Sequence, residues 1–270
     1  MVRHSAGVGS DLQVLDVLAR ADSAGVRPRL GGMARPDGVI IASERFWAFA
    51  GRDGTVRVGA QPVRRTGIAG LPLVRGLVRL AGSVRPLLSR NGVAKRRERR
   101  LLLVAITVGV LAAVLPGLYG MAVGLAATGV MLALLFRGRT LRLHGAEHRA
   151  IAAAEDGQLV RTWAGDVRPS RFAARCGTNF AAIAVPLTLL FEAMWPSAAA
   201  VVAPALVPVA ALAVSMELWQ LVHRPRGRML RFLLLPGLGL QRLTTREPAL
   251  DDTRVALRAT AAVLELELAA

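Results

Sequence analysis

A chain of 270 residues that is 53% hydrophobic and carries a formal charge of +17 is long enough for a buried core and basic enough to suggest nucleic acid. The placement of the charge excludes that partner. Arg and Lys crowd the flanks of two apolar runs: Arg85, Arg90, Lys95, Arg96, Arg97, Arg99 and Arg100 before the first, Arg137, Arg139 and Arg142 after it, and Arg224, Arg226, Arg228 and Arg231 after the second. That is the positive-inside pattern of a membrane protein, and such segments also attract anionic lipid heads.

Leu101 to Phe136 has no charged residue, and Phe180 to Val222 has only Glu192 and Glu217. About 20 apolar residues cross a hydrocarbon core about 30 Å thick. The expected class is therefore mainly α: a helical integral membrane protein with about four transmembrane segments, arranged as two hairpins, plus a small N-terminal β-rich unit. Cys176 is the only cysteine, so no internal disulfide forms. The first 30 residues lack the continuous apolar stretch of a secretory signal.

In chain order, residues 1–30 read as a variable tail in which Leu12 to Arg20 can form a short amphipathic helix. Residues 31–65 read as a small β-rich cytoplasmic unit. Gly38 to Ile41, Phe46 to Ala50 and Thr55 to Val58 are strand-like, and Arg52-Asp53-Gly54 supplies hairpin turn chemistry. Residues 66–100 form a basic segment with Ile68, Leu71, Val74, Leu77 and Val78 at helical spacing, suited to the membrane interface or to packing on the β unit.

A single helix over residues 101–136 would be about 54 Å long. The turn residues Pro116 to Gly120 instead divide it into a first hairpin of two short spans, or a re-entrant one. Residues 137–179 are a cytoplasmic loop. Residues 180–222 are the second hairpin, turning at Trp195-Pro196-Ser197, with Pro204 and Pro208 kinking its last span. Residues 223–270 are a cytoplasmic C-terminal segment, interfacial or re-entrant near Phe232 to Gly237 and closing in an amphipathic helix from Asp252 to Leu268.

His144-Gly145-Ala146-Glu147-His148 carries the chemistry. It has the His-x-x-Glu-His order of inverted zincins. On a helix the two histidines stand about 40° apart, which suits two ligands of one metal. Glu147 lies about 60° to the other side, in reach of a general-base role. Helix formers follow from Arg149 to Glu155, and Gly157 can end the helix.

A third ligand is required. Glu155 shares the face but lies about 10 Å beyond His148; it fits a second metal or a substrate instead. Glu217 lies inside the last span, where an ionisable group is costly and marks function by default. It is the leading candidate, with pairing to a nearby arginine as the alternative. Cys176, in Arg175-Cys176-Gly177-Thr178-Asn179, is either a thiolate ligand or a small buried residue. Gln241-Arg242-Leu243-Thr244-Thr245-Arg246-Glu247-Pro248 is a polar cluster whose Arg242 and Arg246 can clamp an anionic group or stand solvated at a helix end.

These stretches together resemble the YqhQ-like family, a bacterial membrane family of unknown function described as predicted metal-dependent enzymes. The resemblance rests on His144 to His148, on Arg175-Cys176-Gly177-Thr178 with Phe180, and on Pro236-Gly237 followed by Gln241 to Pro248. Met216-Glu217 and the glycine-rich Gly31-Gly32, Ala34 and Gly38-Val39 add to it. The chain departs from the family at Asp37, where a Glu is usual, at Ala173-Ala174, where His-Pro is usual, and at Arg254, where a Glu is usual.

The apolar runs and their arginine flanks predict a multi-pass protein with both termini cytoplasmic, and the resemblance implies that the membrane is the bacterial inner one. The resemblance also implies a divalent metal, expected to be zinc. The expected function is a metal-dependent hydrolase at the cytoplasmic interface. Its metal ligands are drawn from His144, His148, Glu217 and Cys176, with Glu147 catalytic. Glu155, Arg175, Gln241, Arg242 and Arg246 are expected to bind substrate or anion, and the bilayer with its anionic lipids is the expected partner. A non-enzymatic scaffold that holds anionic lipid is the alternative.

Overall fold

The computed structural model describes residues 11–25, 27–61, 70–88, 138–194 and 203–270, with isolated positions between 96 and 126. The chain is mainly helical with one small sheet and divides into two compact units. The first comprises Met1–Arg64, Leu135–Cys176 and Gln241–Ala270; the second comprises Arg65–Leu134 and Gly177–Leu240.

In the first unit, strands β1 (Gly31–Arg35), β2 (Gly38–Ala42), β3 (Phe46–Gly51) and β4 (Val56–Ala60) form an antiparallel meander in the order β1-β2-β3-β4. Alternation sends Val39, Ile41, Ala48, Ala50 and Val58 into one core. The β3–β4 hairpin lies at the expected Arg52-Asp53-Gly54. Gly54 has a φ of +83°, and the Asp53 carboxylate accepts from the Thr55 amide at 3.1 Å and its hydroxyl at 2.7 Å. Strand β1 was not foreseen, because Gly31-Gly32 is poor strand sequence; pairing with β2, Gly32 opposite Ile41, makes it a strand.

Helix α1 (Asp11–Ala24) lies within the stretch expected as a tail. Val14, Val17, Leu18 and Ala21 recur at i, i+3, i+4 and i+7 and are buried in the core, so this part of the segment belongs to the folded unit. The Asp22 carboxylate accepts the Leu159 and Val160 amides at 3.1 and 3.0 Å, capping α4 (Leu159–Ala164) from a distant part of the chain.

Helices α3 (Gly138–Asp156) and α8 (Leu250–Leu268) complete the unit. Alanines 256, 259, 261 and 262 of α8 are essentially fully buried, and small side chains let it pack against both the sheet and α3. It is buried more widely than the single apolar face expected of it.

The second unit holds α2 (Val74–Leu88), α5 (Gly177–Met194), α6 (Ala203–Val222) and a 3₁₀ segment (Pro225–Leu234). Helix α7 (Leu235–Thr244) follows and carries the chain back to the first unit at Gln241. Among the described residues one helix, Gly177–Met194, is long and apolar enough to cross a membrane; Leu206–Val222 is a shorter apolar helix. Most of the expected first hairpin, 101–136, and the turn at Trp195-Pro196-Ser197 lie outside the described residues. Val185, Leu189, Leu190 and Met194 of α5 are exposed.

Within this unit α2 packs on α6. The Glu217 carboxylate accepts from the Leu73 amide at 3.0 Å and from Arg75 Nε at 2.9 Å, and the second Arg75 nitrogen reaches its other oxygen. The pairing with a nearby arginine, weighed as the alternative for Glu217, is therefore present.

Candidate metal centre

Helix α3 carries the His-x-x-Glu-His motif, and the helical spacing sets the two imidazoles side by side with ring centroids 4.4 Å apart. Each ring is fixed by its Nδ1. That of His144 lies 2.8 Å from the Thr244 carbonyl, and that of His148 lies 2.6 Å from the Arg171 carbonyl. A carbonyl only accepts, so each Nδ1 carries the proton and donates, leaving Nε2 as the free ligand atom. A carbonyl that accepts from Nδ1 in this way commonly fixes the tautomer and ring orientation of a metal-binding histidine.

The third donor is Cys176, buried at the end of the 165–176 loop. Its Sγ lies 3.4 Å from His144 Nε2, and the donor atoms of His144, His148 and Cys176 all lie within 4.8 Å of one another. Zn–N bonds near 2.1 Å and a Zn–S bond near 2.3 Å in a tetrahedron require an N···S separation of about 3.5 Å. The His144–Cys176 pair matches that separation, and the three donors form a group that could hold a metal ion.

Glu147 points elsewhere. It is 5% exposed, packs over Gly32 of β1 and accepts from the Ala34 amide. A Cβ on Gly32 would lie 2.7 Å from Glu147 Cγ and Oε1, so the glycine makes room for the carboxyl. Burial pushes the acid up to about 7, opposed by the neighbouring His144 and by the Ala34 hydrogen bond.

The outer residues hold two chain segments on α3. Arg149, 6% exposed, donates to the Pro169 carbonyl at 3.0 Å and to the Glu247 carboxylate at 2.6 Å. Arg175 pairs with Glu155, so the two residues expected to bind substrate or a second metal bind each other and tie the Cys176 loop to α3. Gln241 is fully buried and exchanges two hydrogen bonds with the backbone of Ala173. Arg242 and Arg246 are exposed.

Gly145 explains why glycine sits inside the motif. A Cβ there would lie 2.3 Å from the Arg246 carbonyl oxygen, which crosses α3 as backbone and cannot swing away. Gly145→Ala is expected to destabilise the fold by about 1–3 kcal/mol through overpacking. The readout is a lower thermal midpoint of the detergent-purified chain.

The structure thus brings His144, His148 and Cys176 together. It places Glu217 in the second unit on Arg75, and Glu147 beside the cluster but outside it. The outer ties through Arg149, Arg171 and Thr244 were missed at the sequence level; only the packing of arginine and carboxylate residues around the motif hinted at them.

Residues 118–266, more than half of the 270, match the family described as Protein of unknown function (DUF1385). Over 134 residues the chain is 33% identical to "Uncharacterized protein YqhQ" of Bacillus subtilis (strain 168), covering 48% of this chain and 42% of that protein. The match thus spans less than half the length of that relative. No solved structure matches. At the departures from the family pattern, Asp37 pairs with Arg35 and Arg254 donates to the Trp163 carbonyl, while Ala173 offers only its backbone, to Gln241. With its central motifs in place and these positions changed, the chain belongs to the YqhQ-like family as a divergent member.

Proposed function

We propose that this chain is a multi-pass protein of the bacterial inner membrane that holds zinc at His144, His148 and Cys176 and uses it for hydrolysis at the cytoplasmic interface. The observation that carries the reading is the convergence of two Nδ1-anchored imidazoles and a thiol within 4.8 Å. Three-ligand zinc sites that keep a position open are the catalytic kind, whereas structural sites are closed by four. When bound, zinc supplies Lewis-acid polarisation of a carbonyl or phosphoryl oxygen.

The chain's own groups do the rest. Burial pushes Glu147 up to about 7, so it can hold or give up a proton near neutrality beside the cluster, although its carboxyl faces Gly32 and the Ala34 amide rather than the three donors. Thr140 stands one helical turn before His144 on the same face, about 40° round. Its buried hydroxyl has no partner among the described residues, which suits it to an incoming polar group.

The membrane part of the reading rests on the apolar runs, their arginine flanks and the exposed apolar residues of α5. Cys176 directly precedes Gly177–Met194 in sequence, so a span there would leave the thiol at its cytoplasmic end. A substrate reaching the interface, lipid-linked or peptide, follows from that position.

The test is hydrolysis of phosphoester and peptide substrates by the detergent-purified full chain. A cleavage that chelator abolishes, zinc restores and His148→Ala lacks is the expected result. A folded, zinc-loaded chain inert toward both would favour the second reading, a scaffold that binds anionic lipid. That reading is supported by Arg242 and Arg246, which are exposed, as is Leu243 next to Arg242 in sequence, and have no carboxylate partner among the described residues.

A further inference from the structure

We infer that Gln241 is a positioning residue of the metal centre, a buried side chain that joins directly the two segments supplying the Cys176 thiol and the carbonyls that fix the α3 histidines. The inference rests on the zinc reading above and goes beyond it.

The two histidines share one helix, so their relative placement is local. The rest of the centre is not. The Thr244 carbonyl that fixes His144 comes from the end of α7. The Arg171 carbonyl that fixes His148 and the Cys176 thiol both come from the 165–176 loop. Nothing in the backbone order of either segment sets one against the other.

Gln241 does so. It lies one turn before Thr244 on α7 and is 0% exposed. Its Oε1 accepts the Ala173 amide at 2.9 Å and its Nε2 donates to the Ala173 carbonyl at 2.8 Å. A paired donor and acceptor on one residue fixes both distance and rotation, as a strand neighbour would. Ala173 sits two residues after Arg171 and three before Cys176.

Buried Arg149 holds the first half of the loop on α3 through the Pro169 carbonyl at 3.0 Å, but the ties beyond it, toward Cys176, are weaker. Arg175 with Glu155 is exposed at both ends, and Arg171 with Glu247 is 3.8 Å apart. Exposed ion pairs contribute little to holding a geometry. Losing the Gln241 pair therefore frees the part of the loop beyond Pro169, which Arg149 still holds, while leaving α3 and its histidines intact. The consequence is specific: the thiolate should withdraw from the metal, and the His148 ring should lose its orientation.

The test is a cobalt(II) titration of the metal-free, detergent-purified full chain, read by visible and near-ultraviolet absorption. Cobalt in a site with a thiolate ligand shows a sulfur-to-metal charge-transfer band beside its d–d bands. The original chain is expected to show both. Gln241→Met, close in size but without the amide, is expected to bind cobalt about 10–100-fold more weakly, the usual cost of an outer-shell loss. It should also lose charge-transfer intensity per bound ion.

Thr245→Val is the control. The Thr245 hydroxyl donates to the Gln241 carbonyl at 2.6 Å, so the change perturbs the same helix end without touching the Ala173 pair. It should leave affinity and band unchanged. If Gln241→Met does not fold, Gln241→Asn, which keeps the amide but draws it back by one methylene, is expected to give the same weakening and loss of band.

An original chain that binds no cobalt, or binds it without the sulfur band, overturns the zinc reading. An original chain with the band, and Gln241 variants that match it in affinity and spectrum, overturns the role of Gln241 and leaves the zinc reading standing.

Discussion

Replacing Cys176 by alanine is expected to weaken zinc binding by more than about a hundredfold, beyond the 10–100-fold typical of an outer-shell change. Two imidazoles from one helix turn remain, but they leave the ion with half a tetrahedron. The thiol is 7% exposed and its Sγ already lies 3.4 Å from His144 Nε2, and alanine offers no substitute.

Stability should report the loss as well. An ion that binds only the folded chain stabilises it by about 4 kcal/mol at a thousandfold excess over its dissociation constant. Added zinc should raise the thermal midpoint of the original chain and leave that of Cys176→Ala nearly unmoved. Equal zinc-induced shifts in the two would remove Cys176 from the ligand set.

Glu147→Gln is expected to abolish a pH dependence of stability in the metal-free chain. The buried carboxyl ionises at about 7 in the folded chain, against 4.5 for the ordinary group. Below 4.5 both states hold the proton, and the folded state has its full stability. Between 4.5 and about 7 the unfolded chain gives up its proton while the folded chain keeps it, so stability falls as pH rises.

The difference amounts to ~3 kcal/mol by pH 7 and is level above that. The glutamine variant keeps the shape and cannot ionise, so its thermal midpoint should lack this fall. Zinc beside His144 favours the carboxylate and should flatten the profile of the original chain. A metal-free chain whose stability is level from pH 4.5 to 7, or a variant with the same slope, would show that Glu147 is not the group responsible.

How far the site was legible follows from which contacts are local. Helical spacing alone places His144 beside His148, and the structure has them so. Cys176 was one of several possible third ligands, because its approach depends on a loop returning to α3 through Arg149, Arg175 and Gln241, contacts 20 to 68 residues apart in sequence. Glu217 was favoured on depth in the membrane. A carboxylate in an apolar run announces that it has a partner but does not say which, and here Arg75 is the partner.

The Gln241 to Pro248 cluster read as one polar group, yet a helix end has several faces. Gln241 turns inward, Arg242 and Arg246 outward, and Glu247 back to Arg149. The fold shows the same division. The β2–β3–β4 strands and their Asp53-Gly54 turn were plain in the pattern, whereas β1 exists through its pairing with β2, and α4 is capped by Asp22.

The central claim is that the first unit binds a metal at His144, His148 and Cys176. Its most direct test is the metal content of the detergent-purified full chain beside that of the His144→Ala/His148→Ala double variant. Near-stoichiometric zinc in the original chain and none in the folded variant is the expected result. A folded original chain that holds no metal, even after zinc is supplied, would contradict the account.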